Sequence, residues 1–311
     1  MRIAIFGVGG VGGYFGWRLA QAGEDVTFVA RGESLRVLSD VGLRMDTPDG
    51  NSVVQPVNVV GDPKESGQVD AVILGVKAWQ VPEAAEAIRP LIGPDTFVVP
   101  LQNGMEAPSH LSRVLGPEHV VGGLCRIVAM IAGPGHIRHV GLEPYVAFGE
   151  LNKQLSKRCR NLQEAFFKAG VNCEIPADIN AAMWEKFFFI ASYSGVAAVT
   201  RAPAGIIRSV PETRLMLETS MKEILDVARG HSIDLKGDII VSTMAFLDSL
   251  ATTSTASMQR DIMEGRPSEL SEQVGAVMRL GQGVGVATPL NSAIYWSLLP
   301  QELRARGKVE F

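Results

Sequence analysis

A hexapeptide at the front of the chain constrains it more than any other feature. Gly7, Val8, Gly9, Gly10, Val11 and Gly12 spell Gly-x-Gly-x-x-Gly, directly after the apolar run Ile3-Ala4-Ile5-Phe6. A segment with helical rhythm comes next, carrying Tyr14, Trp17, Arg18 and Ala20 and stopping at Gly23. The pattern alone is weak, because the chain holds 33 glycines. Between a strand and a helix it becomes restrictive. The first glycine makes a tight turn, the second lets backbone approach a pyrophosphate, and the third lets helix and strand pack closely. The helix start then offers free N–H groups and a positive dipole end to an anion. A dinucleotide is the expected ligand of these six residues.

The rest of the first half continues the alternation. Residues 2–6, 25–30, 69–76 and 97–100 are short and apolar, as strands covered on both faces are. Residues 13–22 and 82–91 read as helices between them, the second opened by Pro82. One interruption reads as a hairpin: Leu43-Arg44-Met45, then a turn containing Asp49-Gly50, then Val53 onward. After about residue 176 the strand signal fades. Residues 183–198, 212–229, 237–250, 269–280 and 290–303 all read as helices, and Arg229-Gly230 reads as a basic last turn with a C′ glycine. The expected architecture is α/β: a Rossmann-type doubly wound parallel sheet over 1–176, then an all-α substrate and catalytic domain over 177–311.

Composition excludes other classes. At 311 residues two domains are expected. A net charge of −4 gives neither a nucleic-acid footprint nor a polybasic membrane patch. Residues 187–200 are too short and too polar for a membrane span, and no signal-peptide pattern precedes the first strand, so the expected location is the cytoplasm. Cys125, Cys159 and Cys173 show no metal or redox spacing and read as free thiols. His136 and His139 lie three apart on a strand-like segment and point to opposite faces, so no metal is expected.

Cofactor choice is read at the end of the second strand, where NAD enzymes carry an acid for the ribose hydroxyl. That place is Ala30, followed by Arg31 and Gly32. No carboxylate stands there to repel a 2′-phosphate, and a guanidinium can hold one in bidentate fashion. NADPH is therefore expected over NADH.

Several segments occur in one order: the glycine turn, Arg31, Val76-Lys77-Ala78-Trp79-Gln80, Gln102-Asn103-Gly104-Met105 and Trp184-Glu185-Lys186-Phe187. Ser257-Met258, Asp261 and Gly265-Arg266-Pro267-Ser268-Glu269-Leu270 complete the series. Together they resemble the ketopantoate reductase (2-dehydropantoate 2-reductase) family over essentially the whole chain. The resemblance implies reduction of ketopantoate to pantoate by NADPH, within pantothenate and coenzyme A biosynthesis. It implies that Lys186 is the proton donor, although from the residues alone that lysine reads as an aliphatic stem snorkelling beside Phe187-Phe188-Phe189. It implies that Asn103 touches cofactor and substrate, that Glu269 and Lys77 contact the cofactor, and that Ser257 contacts the substrate. By their local sequence, Glu269 reads as a capping-box glutamate, Lys77 as an exposed strand-end charge, and Ser257 as one hydroxyl in a serine and threonine run.

Two departures bear on the substrate. Four and eight residues beyond Lys186, where the family often carries asparagines, stand Ile190 and Ser194, and Ser194 is retained as a substrate-contacting candidate. The family's Glu-x-Asp becomes Glu269-Leu270-Ser271. A site built around an amide donor discriminates by that bond. Reduction of a different 2-oxo acid is thus the alternative, and a non-catalytic NADP-binding sensor is a further one. The expected partner is a small 2-oxo acid, not a nucleic acid or a membrane; a homodimer is compatible with the sequence but not read from it.

Overall fold

The computed structural model describes residues 1–310 and divides into two compact units. The first comprises Met1–Gln102 and Ala107–Ile179; the second comprises Asn103–Glu106 and the chain from Asn180 on.

In the first unit the chain runs β1 (Arg2–Phe6), α1 (Gly10–Gln21), β2 (Asp25–Val29), α2 (Gly32–Val41), β3 (Leu43–Thr47), β4 (Gly50–Val54), β5 (Asn58–Val60), β6 (Ala71–Leu74), α3 (Val81–Ala87), β7 (Phe97–Pro100) and α4 (Ala107–Leu115). A five-stranded sheet has the order β5-β2-β1-β6-β7, and each of its pairings is parallel. The order reverses at β1, whose neighbours are β2 on one side and β6 on the other, and ligands of such sheets bind beyond the strand ends at that switch point. The central strands are apolar throughout because both faces are covered: Ile3, Ala4, Ile5, Ala71, Val72, Ile73 and Leu74 are all inaccessible. As expected, β3 and β4 pair antiparallel around the Pro48-Asp49 turn.

Five elements that complete this unit carry no clear signal in the sequence, β8 (Val121–Arg126), β9 (Ala129–Gly133), β11 (Tyr145–Glu150), α5 (Lys157–Lys168) and β12 (Asn172–Glu174); a sixth, β10 (His136–His139), falls on the strand-like segment that carries the two histidines. They extend the hairpin into a sheet ordered β4-β3-β10-β9 and build a third sheet, β12-β11-β8. His136 meets Asp46 at 2.8 Å and His139 meets the Leu142 carbonyl at 2.9 Å, so each imidazole has its own local partner.

The second unit is helical: α6 (Ile179–Thr200), α7 (Ala204–Ser209), α8 (Pro211–Gly230), α9 (Ile239–Ser249), α10 (Ser257–Met263), α11 (Val274–Gly283) and α12 (Pro289–Ala305). From Asn180 onward α6 lies in this unit's core, which buries its Trp184, Phe187, Phe188 and Val196. Two expectations change. Glu269 does not begin a helix, because the Ser268 hydroxyl takes the Leu270 N–H and Glu302 takes the Ser268 N–H and hydroxyl; α11 starts at Val274. Gly230 is not the C′ residue of α8 either. The left-handed residue is Ser232 (φ 59°), with Ile233 N–H on the Ala228 carbonyl and Ser232 N–H on the Arg229 carbonyl, a Schellman closure. Gly230 is small for packing: a Cβ there would stand 2.7 Å from Val284 Cγ2.

Candidate functional site

The glycine turn joins β1 to α1 under tight steric limits. Gly7 has φ 96°, and a Cβ on it would meet Val76 Cγ1 at 2.7 Å. At Gly12 a Cβ would lie 2.1 Å from the Gly7 carbonyl oxygen, so the helix can sit on the turn only without one. Gly9 is different: the nearest heavy atom to a Cβ there is Gly75 O at 3.9 Å, so the fold itself places no demand on that position. Gly9 provides no side-chain cap and the first turn of α1 holds no acid. No side-chain cap or first-turn acid therefore competes with an anion for the first N–H groups of α1.

Beside the turn lies an open cleft. Gly7 and Val8 line one side, Val29, Ala30 and Arg31 another, and Ser34, Val76, Gln80 and Glu83 complete it. Arg31 is the N-cap residue of α2, and its side chain is well exposed. Its guanidinium donates to Glu83 at 3.3 Å, a partner 52 residues away that no local reading of Ala30-Arg31-Gly32 could supply. Lys77, three residues beyond β6 and before a single 3-10 turn, is exposed, with its Nζ 5.6 Å from the Trp79 ring centre and its backbone N–H on the Gln80 side chain.

A second polar centre lies wholly within the helical unit. The Asn103 amide donates from Nδ2 to Glu269 Oε2 at 3.0 Å, and Gln273 Nε2 donates to the same oxygen at 3.3 Å. Glu269 is 6% exposed, so these bonds offset the cost of burying it. The capping-box reading of Glu269 does not hold, since its carboxylate serves side chains rather than a helix start. Loop Asn103–Glu106 is pinned a second time by Arg279, which grips Glu106 at 2.5 and 3.2 Å. Glu106 in turn holds the Arg279 guanidinium above its ordinary value. Beside them, burial pushes the Glu272 carboxyl above the usual glutamate range, against the pull of its own backbone N–H and Arg306.

Lys186 is half-buried on α6. At helical spacing Ile190 and Ser194 continue its face one and two turns on; Ile190 is half-buried and Ser194 is buried. Ser257 is the first residue of α10 and is exposed. The structure thus joins Asn103 to Glu269 directly, and lines Lys186 up with Ile190 and Ser194. Gln273 and Glu83 escaped sequence reasoning; for Gln273 the only signal was its spacing of four from Glu269. Among the described residues, no group of three or more His, Cys, Asp or Glu could hold a metal. No described helix is long and apolar enough to cross a membrane.

Family models match the chain in two blocks: Ketopantoate reductase PanE/ApbA over residues 3–153, and Ketopantoate reductase PanE/ApbA C terminal over residues 178–300. The chain belongs to the ketopantoate reductase family. An uncharacterized oxidoreductase of Bacillus subtilis is 30% identical over 96% of this chain and 98% of its own length. A 2-dehydropantoate 2-reductase of Mesorhizobium japonicum is 31% identical over 94% of this chain and 95% of its own. Among solved structures, a PanE/ApbA family ketopantoate reductase from Ralstonia eutropha superposes with a TM-score of 0.90 at 27% identity, covering 98% of this chain and all of that one. The ketopantoate reductase fold, a Rossmann-like N-terminal unit followed by a helical unit, is the fold observed here, and the chain is an oxidoreductase of that family.

Proposed function

We propose that this oxidoreductase reduces a 2-oxo acid with NADPH, ketopantoate being the leading substrate and pantothenate synthesis the pathway it serves. The observation that carries the reading is the open cleft at the glycine turn, where Gly7 and Val8, which lead into the uncapped start of α1, and Arg31 line one space. The residues fit the cofactor. Gly7, Val8, Gly9, Gly10, Val11 and Gly12 would hold its pyrophosphate, with Gly9 presenting the open face a phosphate needs. Arg31 would take the 2′-phosphate, and Lys77, just beyond β6, would contact the cofactor. When bound, the cofactor supplies the hydride that goes to the carbonyl carbon.

The chain's own residues do the rest. Lys186 Nζ donates a proton to the carbonyl oxygen as negative charge builds there. With one Nδ2 hydrogen given to Glu269, Asn103 offers its amide oxygen to a ligand hydroxyl, and Glu269 keeps that amide in one orientation. Glu269 is assigned a cofactor contact as well. Ser257 and Ser194 are assigned to the substrate.

One observation favours a second reading, in which the substrate is another 2-oxo acid. Ile190 follows Lys186 on the same face, and an isoleucine can make no hydrogen bond to a substrate hydroxyl. A panel of 2-oxo acids assayed with NADPH separates the two. Turnover of ketopantoate above all others supports the first reading, no turnover at millimolar concentration supports the second, and no turnover of any acid leaves only an NADP-binding sensor.

A further inference from the structure

Glu83 lines the same cleft as Arg31, and its Oε1 is 3.3 Å from the guanidinium. Both side chains are mostly exposed, at 72% and 69%, so this pair contributes little to stability. Its position matters more than its strength. The end of β2 is where a dinucleotide presents its adenosine ribose, and a 2′-phosphate there carries close to two negative charges. Such a phosphate must share Arg31 with a carboxylate that already holds one of its nitrogens, and it must do so beside that carboxylate's charge. A ribose without the phosphate meets no such repulsion, and its hydroxyls can donate to the same carboxylate, the service an acid at the end of the second strand gives in NAD enzymes. Here the acid comes from α3, so the cleft combines a feature that favours NADPH with one that opposes it.

We propose that Glu83 is a specificity-determining residue which narrows the preference of this cleft for the 2′-phosphorylated cofactor, leaving NADH a usable ligand. The proposal rests on the nicotinamide-dependent reading above. Glu83→Gln removes the charge at an exposed position, so the variant keeps its fold. NADPH and NADH are titrated separately into the wild-type protein and the variant at low ionic strength, monitoring the quenching of protein fluorescence. Glu83→Gln is expected to tighten NADPH about tenfold, the size of a charge–charge interaction across several ångströms of water, while NADH binds no more tightly than before. In about 0.5 M salt the gain should shrink, as the Debye length falls below the separation of the charges. Glu83→Ala, which also frees the guanidinium, should gain at least as much. An unchanged ratio of the two affinities, or weaker NADPH binding, overturns the assignment of Glu83 while leaving the cofactor reading standing. A wild-type protein that binds neither nucleotide overturns both.

Discussion

Two side chains concentrate the chemical claims, and each can be tested by truncation. For Lys186 the issue is whether a half-buried ammonium on α6 delivers a proton or merely rests its stem on apolar neighbours. Lys186→Ala should lower kcat by about 10²- to 10⁴-fold, the usual contribution of a positioned acid, with NADPH affinity unchanged. A rate equal to wild type would assign the lysine to packing. For Arg31 the question is one of selectivity. Arg31→Ala should weaken NADPH binding by at least about tenfold and leave NADH nearly untouched, since only the 2′-phosphate needs the guanidinium. Equal loss of both in a binding titration would mean that Arg31 supports the cleft rather than reads the phosphate. Steric requirements were legible where local sequence carries them, as at Gly7 and Gly12 of the glycine turn. Pairings were hidden where the partner is distant: nothing near Arg31 announces Glu83, and nothing near Asn103 announces that its amide is held 166 residues away by Glu269.

Among the elements, α8 shows how a good sequence signal can point one or two residues off. Arg229-Gly230 looks like a helix stop, yet Val284 packs so closely on Gly230 that the glycine is needed inside the helix, and the left-handed position falls to Ser232. A non-glycine residue there costs about 1 kcal/mol of backbone strain. Ser232→Gly should therefore stabilise the helical unit by about 0.5–1 kcal/mol, less whatever the glycine loses through its freer unfolded chain. Urea denaturation monitored by circular dichroism measures this, and a destabilised variant would show that the serine hydroxyl matters more than the strain. The β1–α1–β2 unit was readable because its hydrogen bonds and its packing are local. The sheets made by β8 to β12 were not, since β10 pairs with β3 across some ninety residues and short strands such as Asn172–Glu174 carry no periodicity to detect.

At the scale of the whole molecule, two compact units make two separate responses to pH. Two buried thiols of the N-terminal unit titrate late: burial pushes Cys159 up from 9.0 to about 11 and Cys173 up to about 12. The folded chain therefore keeps protons that the unfolded chain gives up near pH 9, so the stability these thiols supply is intact below pH 9 and is lost as pH rises through 11 and 12. Tyrosines join later. Burial raises Tyr145, in the N-terminal unit, and Tyr193, in the helical unit, but their ordinary value is 10.0, so between pH 9 and 10 the thiols dominate. In that window the N-terminal unit should lose stability while the helical unit holds its own. Tryptophan reports on each separately, because Trp17 and Trp79 belong to the first unit, Trp184 and Trp296 to the second. Chemical denaturation of variants keeping only one pair should show an alkaline decline for the first pair alone, and Cys173→Ala should flatten it. A parallel decline in both pairs, or a slope indifferent to Cys173, would mean that some group other than these buried thiols governs the alkaline limb.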